Sequence, residues 1–469
     1  MKKRWMGFLL MVGFAAVAAP ERPNFVFLLV DDLGWGDFGS YGAEFYETPN
    51  IDRLAEQGMQ FSNAYAACTV CSPSRAAILT GRYPARLHLT DWITGHKRPR
   101  AKLSVPDWNM RMEHERILLP EALKEAGYDT AFFGKWHLMP IGQPDFEEHD
   151  PTHHGFDINI GGREWGQPKG KGKYFSPFGM PNLDDGEPGD FLTDKLTDAA
   201  IEYLDGDRKN PFLLYLAYYT LHGPIMAPPE LVKKYKEKAK TFENTKNEWL
   251  DPRRAGMVEC LDNSVGRIAE RLEKMGIADN TIIILTGDNG GDNDKTTGGL
   301  KDFKGFSHEG AVREPLVVKW PGKTQPGSTC DVPVIGTDFY PTLLEMAGLP
   351  PKPKEHLDGV SIVPLLTGKA KDLGRQNLYW HYPHYHRTQP YGAIRSGDWK
   401  LIEFFEDGSL ELYNLKTDQQ ETTNLAQKNP EKAQELLMQL KAWRKSVDAQ
   451  MMTPNPNYDP ERPNARSEI

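Results

Sequence analysis

Runs of apolar residues that stop abruptly at charged or polar side chains constrain this chain more than any other feature. Asn24–Val30, Pro211–Thr220 and Thr281–Leu285 are almost unbroken apolar stretches, and Asp129–Phe133 and Gln60–Tyr65 read as further strands. A strand with one wet face alternates, whereas an unbroken run is buried on both faces, as in a sheet covered by helices on both sides. Helical patterns fall between the runs, at Pro49–Gln57, Leu119–Ala126, Asp194–Leu204, Arg253–Met275 and Asp338–Gly348. The expected fold class is therefore α/β. Four runs end in chemistry: Asp31-Asp32, Gly134-Lys135-Trp136-His137, Leu221-His222-Gly223-Pro224 and Gly287-Asp288-Asn289-Gly290. In open α/β sheets the carboxyl edge of the strands is where ligands bind.

One Asp at a strand end could simply cap the next turn. Two in succession repel each other unless a cation neutralises them. Asp31, Asp32, Asp288 and Asn289 together offer oxygen donors without thiolate or imidazole. That set suits a hard cation, calcium before magnesium.

A second centre is Cys71-Ser72-Pro73-Ser74-Arg75, which runs into the apolar segment Ala76–Arg82. Ser72 or Ser74 is expected to cap a helix here, with Pro73 in its first turn. Residue 71 then lies where free N–H groups and the helix dipole favour negative charge, with Arg75 one turn on. Lys135 and His137 flank Trp136, so an extended chain turns both to one side. Cys68-Thr69-Val70-Cys71 also reads as a C-x-x-C redox or metal pair. No second Cys/His pair stands at zinc-like spacing nearby, and that reading leaves Pro73 and Arg75 unexplained.

The stretch from Cys71 to Arg82 resembles the modification motif of the formylglycine-dependent (type I) sulfatases, including its Leu-Thr-Gly-Arg continuation. Gly134-Lys135-Trp136-His137, His222-Gly223-Pro224 and Lys304-Gly305 through Arg313-Glu314-Pro315 resemble further blocks of that family, in its order. Ala311 replaces the family's second glycine in the last block. The resemblance implies an alkaline-phosphatase-like sandwich with a large mixed central sheet flanked by helices, and a small C-terminal antiparallel sheet with a helix. It implies that Cys71 is oxidised before folding, by a formylglycine-generating enzyme, to an aldehyde whose hydrate attacks sulfur. Asp31, Asp32, Asp288 and Asn289, with residue 71, would hold Ca²⁺. Arg75, Lys135 and Lys304 would neutralise the sulfuryl oxygens, and His222, with or without Lys304, would protonate the leaving alkoxide. His137 would deprotonate the remaining diol hydroxyl to expel sulfate.

At 469 residues the chain exceeds one ordinary core. Residues 1–19 read as a secretory signal peptide, Lys2-Lys3-Arg4 before a short Gly/Ala-rich apolar run. Residues 20–375 form the expected catalytic domain and 376–469 a C-terminal subdomain, with Asp407-Gly408 marking a hairpin. The tail from Pro454 is expected to be poorly ordered. Export to the periplasm or beyond permits disulfides, and at most one can form among Cys68, Cys260 and Cys330. Loss of the leader removes three positive charges from a net −9 and leaves −12. That balance disfavours nucleic acid, no membrane anchor is expected, and a sulfated ligand must meet locally basic ground. Lys97, Arg98 and Arg100, Arg163 and Trp165, and His384, His386 and Arg387 mix basic and aromatic character as a sulfated sugar requires. The expected activity is removal of sulfate from a sulfated polysaccharide or oligosaccharide. The alternatives are a phosphomonoester or phosphonate-ester hydrolase of the same superfamily, or an inactive sulfated-glycan-binding protein.

Overall fold

The computed structural model describes residues 22–180 and 182–464; the expected leader, residues 1–19, lies outside them. The apolar runs line up in one nine-stranded mixed sheet. Asn24–Val30 is central and parallel to both Phe212–Ala217 and Thr281–Gly287. Asp129–Gly134 and Ile158–Ile160 extend the sheet on one side in the same direction. On the other side Arg313–Lys319 runs antiparallel to Thr281–Gly287 and to Met59–Tyr65. Val334–Ile335 and Ser328–Cys330 complete that edge, both parallel to Met59–Tyr65.

Burial on both faces has a direct cause in the alternation of the central strand. Phe25, Phe27 and Leu29 pack with Ile78, Leu119, Leu343 and Leu344 on one side. Val26, Leu28 and Val30 pack with Leu196, Ala200, Met257 and Leu261 on the other. Each such side chain contributes roughly 1.5–3 kcal/mol by leaving water, so neither face can be exposed without unfolding the domain.

The Cys71–Thr80 helix is buried along its whole length. Its start differs from expectation: Val70, extended, is the N-cap, and neither serine caps it. Ser72 instead accepts a hydrogen bond from the Ile93 amide at 3.1 Å. Gly81 ends the helix in the left-handed region at φ 62°, where a side chain would be strained.

A four-stranded antiparallel sheet, Asn377–Tyr382, Tyr391–Ser396, Trp399–Phe404 and Leu410–Asn414, is covered by the Pro430–Ser446 helix. Its core continues into Val70 and Ala77 of the catalytic turn and helix. The tail is ordered as far as it is described. Thr453–Pro454 pairs with Leu103–Ser104, and Asn455 Nδ2 donates to the Pro99 and Ala101 carbonyls at 2.9 and 2.6 Å. Polar composition there reflects hydrogen bonding to another loop, not freedom. Among the described residues no helix is long and apolar enough to cross a membrane.

Candidate active site

The carboxyl ends of the four central strands and the start of the Cys71 helix converge. Asp31, Asp32 and Asp288 each bring an oxygen to within 4.8 Å of the others. Each carboxylate faces one buried cation. Lys135 Nζ is 2.5 Å from Asp31, Lys304 Nζ 2.5 Å from Asp32, and Arg75 Nε 2.7 Å from Asp288. Cys71, 3% exposed, lies among them, its Sγ 3.6 Å from Asp31 Oδ1 and 3.3 Å from Lys304 Nζ.

Burial and crowding shift the three carboxyls and the thiol. Burial, the Lys135 charge notwithstanding, raises the Asp31 carboxyl above its ordinary range. Burial and then Asp31 push Asp288 up to about 6. Burial also opposes ionisation of Asp32, but Lys304 and His222 outweigh it and hold this carboxyl well below the usual range. Burial pushes the Cys71 thiol up to about 12 despite Lys135 and Lys304. A thiol in that range is protonated at neutral pH and is a weak nucleophile.

The donors fit a hard divalent cation. Asn289 Nδ2 donates to Asp32 Oδ1 at 2.8 Å, while its buried Oδ1 has no hydrogen-bond partner. A buried carbonyl oxygen without a partner costs free energy unless something electropositive faces it. Three carboxylates and that oxygen are the donors calcium takes, and sulfur is the one soft atom in the group.

Above this cluster opens a cavity of about 680 Å³ lined by Asp32, Cys71, His137, His222, Lys304, His386 and Arg387. His137 sits at φ 57°, so it reaches the cavity by a left-handed turn and not, as expected, by strand alternation with Lys135. Its Nε2 donates to the Ile93 carbonyl at 2.6 Å, leaving Nδ1 unpartnered and the ring neutral, held well below its ordinary pKa by burial and Lys135. His222 donates from Nδ1 to the Gly223 carbonyl at 2.9 Å and places Nε2 3.9 Å from Asp32 Oδ2. Burial lowers its pKa to about 4, with Lys304 and Lys135 adding to that against the pull of Asp32. Lys304 holds its proton more firmly than a free lysine, because Asp32 and Cys71 outweigh the cost of burial.

Residues 23–349 match the family model described as Sulfatase, and residues 299–450 match one described as N-sulphoglucosamine sulphohydrolase, C-terminal. The chain belongs to the sulfatase family. A sulfatase of Formosa agariphila is 35% identical to it over 91% of this chain and 89% of its own. Human N-acetylgalactosamine-6-sulfatase is 34% identical over 77% and 69%, respectively. The crystal structure of Ps i-CgsB in complex with k-i-k-neocarrahexaose matches with a TM-score of 0.74 at 29% identity, covering 93% of this chain and 95% of that one. The enzyme is a sulfuric ester hydrolase of the alkaline phosphatase superfamily.

In this sulfatase several residues expected at the substrate do not line the cavity. Arg75 and Lys135 are beneath Cys71, against carboxylates, and do not line the cavity. Of the three expected cations, Lys304 alone lines it. His384 is interior, 2.8 Å from Thr90 Oγ1 and edge-on to Trp108. Arg163 is bidentate to Glu164 at 2.9 Å and stacks on Trp165 at 3.8 Å, and neither Arg163 nor Trp165 lines the cavity. Arg100 pairs with Asp459 of the tail at 2.9 Å, and Lys97 is exposed and does not line the cavity. Arg98 donates to Asn464 at 2.8 Å and to the His386 carbonyl, bracing the wall instead of forming it. Arg98, Arg100, Arg163 and His384, which attract attention in sequence, are engaged by partners within the fold.

His386 and Arg387 do face the cavity. Gly305, at φ 84°, lets His386 in: a Cβ there would stand 2.1 Å from His386 Nδ1. Trp92, His96, Gln167, Lys169 and Asp292 complete the walls. Their signal was proximity to the motifs already singled out; single residue types did not mark them. The structure gives the C-x-x-C reading no support: Cys68 and Cys71 are both buried, and burial raises both thiols, the opposite of an activated redox cysteine.

Proposed function

We propose that this sulfatase desulfates a sulfated carbohydrate outside the cytoplasm, with residue 71 converted to Cα-formylglycine and Ca²⁺ held by Asp31, Asp32, Asp288 and Asn289. The observation that carries the reading is the position of Cys71. Burial and the neighbouring Asp31 and Asp288 make the thiol a poor nucleophile, yet groups suited to an anionic substrate surround that position. An oxygen-bearing side chain there removes the discord, since it completes an all-oxygen donor set. Burial of residue 71 requires the maturation enzyme to act before the chain folds.

Calcium held by Asp31, Asp32, Asp288 and Asn289 would supply Lewis-acid polarisation at this position. The protein's own residues do the rest. Arg75 and Lys135 hold Asp288 and Asp31 in place, so the donor carboxylates stay aimed without mutual repulsion. Lys304, protonated and facing the cavity, neutralises a sulfuryl oxygen and can hand a proton to the leaving alkoxide. His222 assists when the anionic substrate beside Nε2 raises its pKa. His137, neutral with Nδ1 free, accepts the proton whose removal releases sulfate.

A sugar substrate is supported by the wall composition, in which Trp92 offers a flat apolar face beside Lys169, His386 and Arg387. It is supported too by a relative named N-acetylgalactosamine-6-sulfatase and by a similar structure in complex with k-i-k-neocarrahexaose. The test is sulfate release from a panel of sulfated oligosaccharides, with the mass of the residue-71 peptide measured in parallel. The aldehyde mass is expected in active protein, and Cys71→Ala should release sulfate roughly a thousandfold more slowly or worse. Undiminished release by Cys71→Ala, or faster turnover of phosphate or phosphonate esters than of sulfates, refutes the reading.

A further inference from the structure

Outside the catalytic cavity, three imidazoles come together that the sulfatase reaction does not use. His149 and His154 close two short 3₁₀ turns, Phe146–His149 and Pro151–His154, and His114 reaches them from an exposed loop. One ring nitrogen of each lies within 4.8 Å of the others. His149 donates from Nδ1 to the Met112 carbonyl at 2.9 Å, which commits that proton and leaves the Nε2 lone pair for a ligand. Asp145 Oδ2 stands 3.8 Å from that Nε2, held by Arg111 at 3.0 Å. His154 is 1% exposed, and its Nε2 has no hydrogen-bond partner. Its ring stacks on His114 at 4.8 Å between centroids, 9° from parallel.

Three stacked imidazoles cannot all be charged, and an unpartnered nitrogen inside the fold calls for an electropositive partner. We propose that His114, His149 and His154, with Asp145 as fourth ligand, form a structural site for a divalent transition metal, zinc first. Ligands about 2.0–2.1 Å from zinc in a tetrahedron are roughly 3.4 Å apart, so the cluster must contract by up to about 1.4 Å and the His114 ring must turn out of its stack on His154 to aim a lone pair at the ion. The exposed His114 is the member able to move. Imidazole-rich donors distinguish this site from the oxygen-only cluster at Asp31, Asp32 and Asp288, which suits calcium. The ion ties both turns to Trp136, whose Nε1 donates to the His149 carbonyl at 2.9 Å and which lies between Lys135 and His137. It thereby braces the turn carrying two site residues.

The test uses the full chain, stripped of metal and then saturated with Ca²⁺, titrated with ZnCl₂ by calorimetry and with CoCl₂ by visible absorption. One equivalent of Zn²⁺ should bind, Co²⁺ should give the intense d–d bands of a four-coordinate site, and Zn²⁺ at a hundredfold excess over its Kd should raise the melting temperature. His114→Ala, at an exposed position, should melt like the parent without zinc, bind zinc at least about tenfold more weakly and lose the cobalt bands. His154→Gln supplies a second variant and should lose them too. Absence of a zinc equivalent in the calcium-saturated protein, or unchanged affinity in His114→Ala, overturns the assignment.

Discussion

Replacing Lys135 by methionine removes a charge from the centre of the site while keeping most of the side-chain volume. Lys135 and Asp31 are both fully buried, 2.5 Å apart. At an effective dielectric of about 20, unit charges at that separation attract by roughly 7 kcal/mol before desolvation is subtracted. Desolvation offsets much of this in the intact pair. Breaking it strands Asp31 beside Asp32 and Asp288, and losses of about 3–5 kcal/mol are typical for a buried partner removed. The sign with pH follows from Asp31, whose carboxyl already lies above its ordinary value and rises further without Lys135. A carboxyl that holds its proton more tightly folded than unfolded stabilises the fold only at low pH. Stability falls as pH rises from the unfolded value to the folded one, and the penalty is complete above that. Lys135→Met should therefore lose about 3–5 kcal/mol at pH 8 in EDTA, on the order of 3–5 °C in melting temperature for a chain of this length, and much less at pH 5. Calcium should narrow the gap, because an ion among the carboxylates replaces the missing positive charge. Urea and thermal unfolding, each with EDTA or with Ca²⁺, measure all of this. A loss under about 1 kcal/mol at pH 8, or equal calcium responses in parent and variant, would show that Lys135 does not neutralise the cluster.

Asn289→Ala should weaken calcium binding at least about tenfold by removing the unpartnered Oδ1, read by calorimetry; an unchanged Kd removes Asn289 from the donor set. Asp91, which accepts from the Trp92 amide at 2.9 Å and the Tyr382 hydroxyl at 2.6 Å through Oδ1, has an unpartnered Oδ2 and is pushed up to about 7 by burial. Asp91→Asn keeps the acceptor and should be more stable than the parent by a margin that opens near pH 4 and levels off above about pH 7, at about 2–4 kcal/mol, in denaturant titrations across that range. His386→Ala and Arg387→Ala should each lower kcat/KM on a sulfated oligosaccharide about tenfold, mainly through KM. Arg100→Ala, whose partner is Asp459, should leave both constants unchanged.

The small C-terminal sheet shows how far local signals reach. Asp407-Gly408 marks its last hairpin, where the Gly408 amide donates to the Phe404 carbonyl at 3.0 Å, because turn preferences are local. Past Tyr382 the strand ends and alternation ceases to guide the eye. His384 turns into the interior while His386, two residues on, meets the cavity. Likewise Arg313–Lys319 is one strand whose antiparallel direction depends on two neighbours far away in sequence. Arg98 and Arg100 are engaged by a tail more than 300 residues later.

Unbroken hydrophobicity and adjacent like charges are properties of a few neighbouring residues, so the chain alone determined a sheet buried on both faces, strand ends rich in carboxylates and a cysteine at a helix start. Whether a given lysine or arginine faces a substrate or a carboxylate depends on which distant group reaches it first, and on how much water is left there. Only the packed tertiary structure decided that, setting Arg75 and Lys135 against carboxylates and turning Lys304, beside Cys71, to the cavity.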